Sequence, residues 1–394
     1  MKGISDLIYI GNWNRKKPGD RLSGKHVDSS RLVVPFSGKV GLSKTNRRNF
    51  PTKFCNLLII YFLFSGIYAS SQAANPDIQS IGEFISRGIE YTLNNDFRRA
   101  EEIYNRLIAQ YPHHPIGYFY KSATLQAEML DAEDYARKEE FYRLIDQTLA
   151  AADSLKADQS QDAWFWFYEG SAYLYRSFMK SKESKWFAAF SDAKKGVGHL
   201  ERALAIDSSL YDAYLGIGSF KYWKSARAKF LLWLPFISDE RQEGIQMVRE
   251  SITKGKFTYW IGRDQLSWIL MDAGHCEEAL AIARENLAAH PQSRFFKWTL
   301  VEAAYKCQKF DLCLQIYQEL LREIQQIPQN NHYNEVECLL RISEIFADRG
   351  EWQNAYHFAD TALKLNLDEA IRERVKHKLS QALKIRNEAQ KHIN

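Results

Sequence analysis

Residues 81–114 read IGEFISRGIEYTLNNDFRRAEEIYNRLIAQYPHH, and this stretch decides the fold of the chain. Its apolar and aromatic residues recur with the spacing of two amphipathic helices. The small residues Gly88 and Ala100 fall where two antiparallel helices would cross closely, and Tyr91 and Tyr104 fill the gaps beside them. Pro112 stops the second helix, because proline cannot continue one. The stretch therefore predicts a helical hairpin.

The hairpin pattern resembles the tetratricopeptide repeat family, whose units are about 34 residues long. The signature positions are occupied here by Phe84, Gly88, Tyr91, Ala100, Tyr104, Leu107 and Pro112. The frame recurs with first residues near 81, 115, 163, 211, 260, 294 and 336. The resemblance implies an all-α fold over residues 74–394, a right-handed superhelical solenoid of hairpins. Residues 369–391 are predicted to form a C-terminal capping helix with a polar outer side.

The units that begin near 115, 163 and 211 are longer than the others, at about 48 residues rather than about 34. The extra residues amount to about four helical turns, or two turns in each helix of a hairpin. Whole turns leave the packing face of a helix unchanged, so we expect extended central hairpins whose tips project as arms. Gly170 and Gly196 take the two small positions of one such unit, and Gly218 and Gly244 those of the next. Trp166 takes the signature packing position of the first of these two units.

Composition bounds the class of protein but does not name a reaction. The chain has 394 residues, of which 45% are hydrophobic and 26% charged, and this balance excludes wholesale disorder. Only 20 Gly and 9 Pro argue against a turn-rich all-β protein. The aromatic share of 14% is high.

The N-terminal part has the features of an export signal. Residues 1–54 hold 12 Lys+Arg against 3 Asp+Glu, and the apolar run 55–69 follows them. Ser71-Gln72-Ala73 then fits a small-residue cleavage site. We predict a leader extension over 1–51, disordered or upstream of the true start, and a signal peptide over 52–73. The mature N-terminus would be Ala74, in the periplasm or secreted, with an uncleaved anchor as the alternative.

Export would permit disulfides. The mature chain holds Cys276, Cys307, Cys313 and Cys338, which are irregularly spaced and contain no CxxC motif. We expect them to be small buried residues on helices. A Cys307–Cys313 bridge across a helical turn is the best specific alternative.

No motif for catalysis, for a cofactor or for a metal occurs in the sequence. HExxH, GxSxG, a P-loop and GxGxxG are all missing. We therefore predict a non-enzymatic protein with no cofactor. Residues 55–394 carry 41 Lys+Arg against 45 Asp+Glu, a balance that does not favour nucleic acid as a partner.

The resemblance implies a binding groove on the concave side, lined by the first helix of each hairpin. The family's groove positions are occupied here by Phe119, Trp164, Phe167, Tyr175, Tyr222, Trp223, Trp268, Phe295, Trp298 and Tyr305. An aromatic groove suits an apolar or amphipathic peptide. The alternative is that these rings pack neighbouring first helices and close the groove.

The arms offer a second surface, rich in basic and aromatic side chains. We single out Lys180, Lys185, Trp186, Lys224, Arg227, Lys229 and Trp233. These residues suit an anionic membrane surface or an acidic partner, unless the two tips pack on each other. The sequence thus predicts an exported scaffold that binds a protein or peptide in its groove, with a membrane-associated envelope assembly factor as the alternative.

Overall fold

The computed structural model of the chain describes residues 78–158, 162–227 and 238–394, which form fifteen α-helices and no β-strand. The helices are α1 Ile78–Leu93, α2 Phe97–Gln110, α3 Pro115–Ala132, α4 Lys138–Asp158, α5 Ala163–Lys182, α6 Trp186–Ile206, α7 Asp212–Arg227, α8 Arg241–Lys254, α9 Tyr259–Ala273, α10 Cys276–Ala289, α11 Arg294–Lys306, α12 Phe310–Gln325, α13 Tyr333–Asp348, α14 Trp352–Lys364 and α15 Glu369–Ile393. The predicted leader extension, signal peptide and cleavage site lie outside these residues. Among the helices described, none has the length and apolar character that a membrane crossing requires.

Successive helices pair into seven hairpins, α1 with α2 through α13 with α14, and α15 packs against the last pair. The first helices of the hairpins begin at residues 78, 115, 163, 212, 259, 294 and 333. Each second helix also packs against the first helix of the next hairpin. The predicted all-α array of tetratricopeptide-like hairpins is confirmed.

The second and third hairpins are longer than the others, as the unit spacing predicts, whereas the described helices α7 and α8 of the fourth contain 16 and 14 residues. Helices α3, α4, α5 and α6 contain 18, 21, 20 and 21 residues. Helices α11 and α14 contain 13 residues each. The difference is about two helical turns, which is the length added to each helix of an extended hairpin. The tip between α7 and α8, residues 228–237, is outside the described residues.

Glycine pairs mark the points where the two helices of an extended hairpin cross. A Cβ atom on Gly170 would lie 2.7 Å from the carbonyl oxygen of Gly196, and a Cβ on Gly196 would lie 2.7 Å from that of Gly170. Gly218 and Gly244 form the same reciprocal contact in the next hairpin, at 2.7 Å and 2.5 Å. Backbones this close leave no room for a side chain, so these positions require glycine.

Polar side chains begin several helices by accepting backbone hydrogen bonds that the first turn leaves unpaired. Asp96, Asp162 and Ser293 accept from the N–H groups of residues 99, 164 and 296. Asp368 does the same for the N–H of residue 371 at the start of α15. Gly274 ends α9 at φ 87°, a left-handed conformation that favours glycine. Local sequence therefore fixes where these helices begin and end.

Candidate partner-binding site

The predicted groove residues lie inside the protein rather than on an open surface. Phe119, Phe167, Tyr222, Trp223, Trp268, Phe295 and Trp298 are buried. Trp164, Tyr175 and Tyr305 are half-buried. Because a partner needs accessible side chains, binding at these residues requires the array to open, and it stays a prediction.

The structure divides these rings among separate clusters. Phe119 contacts Phe167 and Tyr175, with ring centroids 6.3 Å and 5.5 Å apart, and Trp164 packs 5.2 Å from Phe167. Trp223, Trp268 and Trp298 belong to a second cluster further along the chain, which also holds Tyr222. Phe295 packs with Leu93 in a third. The rings therefore do not form the single continuous lining that the resemblance implies.

A loop residue fills part of the space that a groove would need. Phe257, between α8 and α9, contacts the rings of Tyr120 and Trp164 at 6.2 Å and 6.0 Å. The carboxylate of Asp212 accepts hydrogen bonds from the backbone N–H groups of Lys256 and Phe257, at 2.8 Å and 2.7 Å. Asp212 thereby fixes the loop in place, and the ring of Phe257 bridges hairpins that are not neighbours in the chain.

Hairpins far apart in the sequence also meet at the end of α3. The guanidinium of Arg294 donates from Nε to both carboxylate oxygens of Asp131, at 3.0 Å and 3.1 Å. The Asn334 amide donates to the carbonyl oxygen of Asp131 at 2.8 Å, and the Asn331 amide to that of Glu133 at 3.2 Å. We call this group of contacts the closure, because it joins the second hairpin to the sixth and seventh.

Glu133 is the charged centre of the closure. It is buried and adopts a left-handed conformation at φ 50°. Arg374 of α15 pairs with its carboxylate at 2.5 Å, Lys182 does so at 3.4 Å, and the Tyr135 hydroxyl donates to it at 3.1 Å. Burial alone would raise the pKa of Glu133, but Lys182 and Arg374 hold that pKa below its ordinary value. The carboxylate therefore stays ionised, and a cavity of about 400 Å³ opens beside it.

Most of the basic arm residues are engaged within the chain. Lys180 pairs with Asp192 at 2.6 Å, and Lys185 pairs with Glu183 at 2.6 Å. Lys224 pairs with Glu240. Arg227 is exposed and interacts within the chain, whereas Lys229 and Trp233 lie outside the described residues. These ion pairs reduce the positive charge that the arms present to a partner.

The aromatic residues of the arm formed by α5 and α6, by contrast, face solvent. At the start of α6 the exposed fractions are 37% for Trp186, 95% for Phe187 and 59% for Phe190. Phe190 reaches the ring of Phe220 on α7, with centroids 6.4 Å apart. We call these four residues the arm patch. Contiguous exposed rings of this kind mark interaction surfaces, because a monomer gains nothing by leaving them in water.

A surface cleft among α4, α5 and α6 was not predicted from the sequence. His199 lies between the rings of Trp166 and Tyr173, with centroids 5.5 Å and 5.4 Å apart, and the cleft measures about 550 Å³. The sequence assigns Trp166 to a packing position of its hairpin, but the structure leaves it half-buried beside this cleft. The sequence feature that could have indicated this cleft is the two-turn spacing of Trp166 and Tyr173, which places both rings on one face of α5.

Positive charge surrounds the aromatic stack of the cleft. Lys156 lies 4.2 Å from the Trp166 ring, and Arg176 lies 4.8 Å from the Tyr173 ring. Glu169 pairs with Lys156 and lies 3.0 Å from Nδ1 of His199. Burial would raise the pKa of Glu169, but hydrogen bonds from His199 and Lys156 lower it. The charges of the cleft are therefore compensated from within the chain.

Comparison with known proteins gives structural neighbours but no sequence relatives. No protein-family model matches the chain, and no curated protein matches it. A tetratricopeptide repeat protein from Parabacteroides merdae is similar in structure, with a TM-score of 0.36 and 13% identity over 77% of this chain and 99% of that chain. The TPR domain of P58(IPK) has a TM-score of 0.25 and 14% identity over 79% of this chain and 99% of that chain.

The class of fold follows from the chain's own packing. The small signature positions Gly170 and Gly196 meet at a helix crossing, and Ala100 is fully buried in the first hairpin. Second helices pack onto the first helices that follow them. The chain is thus a tetratricopeptide-like helical repeat protein.

Proposed function

We propose that this chain is an exported, non-enzymatic helical scaffold that binds a protein or peptide partner through the arm patch. The observation that carries the proposal is the exposure of Phe187, at 95%, beside Phe190 and Trp186. Trp and Phe side chains grouped in this way are the residues that supply most of the binding energy at protein interfaces. Binding at the predicted groove residues stays a separate prediction, because seven of the ten side chains are buried.

The chemistry of the patch suits an apolar or amphipathic partner segment. Residues 186, 187 and 190 share one face of α6, spaced as the contact residues of a helix are. An amphipathic partner helix would lay its apolar face on these rings and on Phe220. Lys194 is exposed one turn further along α6 and would favour acidic residues at the edge of that partner.

A photo-crosslinking experiment tests partner binding. A benzophenone amino acid replaces Phe187 in one variant and Phe84 in a matched control, since Phe84 is a ring exposed to 46% that does not belong to the arm patch. We expect a discrete crosslinked partner at position 187 and none at 84, after illumination of cells and mass spectrometry of the product. An excess of unlabelled chain should compete, whereas the F187S/F190S variant should not. Equal crosslinking at positions 84 and 187 contradicts the proposal.

The same patch supports a second candidate function, contact with an anionic membrane surface. The chain beyond Lys224 reads SARAKFLLWLPFIS and combines basic with apolar residues, a combination that favours anionic lipid headgroups. Flotation with phosphatidylglycerol vesicles, and with phosphatidylcholine vesicles as the control, tests this function. Salt-sensitive flotation with the anionic vesicles alone, lost in F187S/F190S, would favour the membrane over a protein partner.

Export is the part of the proposal that rests on the leader sequence. The basic residues before the apolar run 55–69 and the small residues Ser71 and Ala73 support cleavage before Ala74. N-terminal sequencing of the protein purified from the cell envelope should begin at Ala74. Recovery of residues 1–60 on that protein would contradict cleavage.

A further inference from the structure

Two thiols from neighbouring hairpins meet close to the turns within those hairpins. Cys276 is the first residue of α10, and Cys307 follows the last turn of α11. Both side chains are free and half-buried. Their sulfur atoms and one carboxylate oxygen of Glu277 all lie within 4.8 Å of one another. The predicted Cys307–Cys313 pairing differs from this arrangement, since Cys313 is buried and directs its thiol toward the carbonyl oxygen of Val301 at 3.7 Å.

The neighbours of the two thiols determine which groups of the cluster are already engaged. Burial and the adjacent Cys276 thiol raise the pKa of Cys307 to about 12. The carboxylate of Glu277 is engaged by Lys309, at 3.0 Å. Glu277 therefore has a partner without a metal ion, which leaves the two sulfur atoms as the groups that an oxidant can join.

We propose that Cys276 and Cys307 are an oxidation site that forms a disulfide between the fifth and sixth hairpins. The oxidant is a disulfide of a thiol oxidoreductase or of a small thiol. The Cys276 thiolate attacks this disulfide, forms a mixed disulfide and releases one donor thiol. The sulfur of Cys307 then gives up its proton, attacks Sγ of Cys276 and displaces the second donor thiol. Overall two protons and two electrons pass from the cysteines to the donor, so the reaction balances.

The position of the pair makes a crosslink structurally reasonable. Both residues are at helix ends, where a side chain rotates without disturbing a helix interior, and a disulfide needs its sulfur atoms about 2.05 Å apart. The closed loop would span one repeat, from the start of α10 to the end of α11. A crosslink there restricts the unfolded chain and so stabilises the folded one. The inference goes beyond the proposed partner binding and does not depend on the arm patch.

Oxidation of the full-length reduced chain with oxidised glutathione tests the proposal. Digestion under non-reducing conditions should give one linked peptide pair, Cys276 with Cys307, in the wild type and in the matched controls C313S and C338S. The Tm should rise on oxidation and return with dithiothreitol. C307S should keep a stable glutathione adduct on Cys276, and neither C307S nor C276S should show the reversible rise in Tm.

Three results would overturn the proposal. The first is a linked peptide that joins Cys307 to Cys313. The second is a wild-type chain that keeps glutathione on Cys276 without forming the linked pair. The third is Zn²⁺ bound at one ion per chain to the reduced protein, lost in C276S, C307S and E277Q, with both thiols protected from oxidation. That result would assign the cluster to a metal instead.

Discussion

The guanidinium of Arg294 holds both carboxylate oxygens of Asp131 across 163 positions of the chain. Asp131 lies in the last turn of α3, the first helix of the second hairpin, and Arg294 begins α11, the first helix of the sixth. The interaction energy of this pair therefore tells whether the second and sixth hairpins are in contact or whether each hairpin contacts only its neighbours in the chain.

We expect a double-mutant cycle on Arg294 and Asp131 to give a coupling of about 1–3 kcal/mol, because both side chains are largely withdrawn from water. Arg294→Ala, Asp131→Ala and the double variant are unfolded with urea, and the three changes in unfolding free energy are compared. The exposed pair Arg98 and Glu102 is the matched control and should couple by about 0.5 kcal/mol or less. Equal coupling in the two cycles would mean that the closure does not form in solution.

The crossing of α5 and α6 predicts opposite effects for two alanine substitutions on one helix. Gly196→Ala places a methyl group against the backbone oxygen of Gly170 and should destabilise the protein by about 1–3 kcal/mol. Gly198→Ala meets nothing within 4 Å and should stabilise it by about 0.5–1 kcal/mol through helix propensity. Thermal melts of both variants check the order. Loss of stability in Gly198→Ala equal to that in Gly196→Ala would contradict the crossing.

Tryptophan substitutions distinguish the filled interior from the cleft. Trp268 is buried in the largest apolar cluster, so Trp268→Ala should cost about 3–5 kcal/mol. Trp166 is half-buried beside the cleft, and Trp166→Ala should cost clearly less. Urea unfolding of both variants measures the difference. The sequence instead assigns Trp166 to a packing position and Trp268 to the groove. A larger loss of stability for Trp166→Ala than for Trp268→Ala would therefore support an open groove.

Asp264 should make stability depend on pH. It is buried in α9 and accepts a hydrogen bond from the Thr299 hydroxyl at 2.5 Å, and burial raises its pKa from 3.8 to about 7. Between these values the folded chain keeps a proton that the unfolded chain has lost, so this contribution to stability falls as pH rises. Asp264→Asn should remove a loss on the order of 4 kcal/mol above pH 7. Urea unfolding of both proteins at pH 5 and pH 8 should show a larger gain for the variant at pH 8 than at pH 5, and equal pH dependence would contradict it.

The hairpins were predictable because each is specified by neighbouring residues. Gly170 and Gly196 belong to one hairpin, and the small side chains that allow its helices to cross are visible at fixed spacing. The register between the two helices of a hairpin is set within a few helical turns, so an error in one hairpin does not carry over to the next. The exposed rings of the arm were visible in the same way, because Trp186 and Phe187 stand at a predicted tip.

The closure was not predictable from local pattern, and the burial of the groove residues was only one of two alternatives that the sequence offered. Whether Asp131 meets Arg294 depends on the sum of the rotations between all the hairpins that separate them. A small change in each rotation would leave Phe119 and Trp298 facing an open groove. Phe257, which bridges distant hairpins, lies in a short loop and carries no periodic signal. The same argument applies to Cys276 and Cys307, whose approach depends on how two hairpins stack.

The closure also fixes the number of repeats. In an open helical array, a hairpin can be duplicated or deleted because each unit touches only its neighbours. Here a unit added between α3 and α11 would separate Asp131 from Arg294 and displace the loop held by Asp212. Related chains should therefore keep seven hairpins.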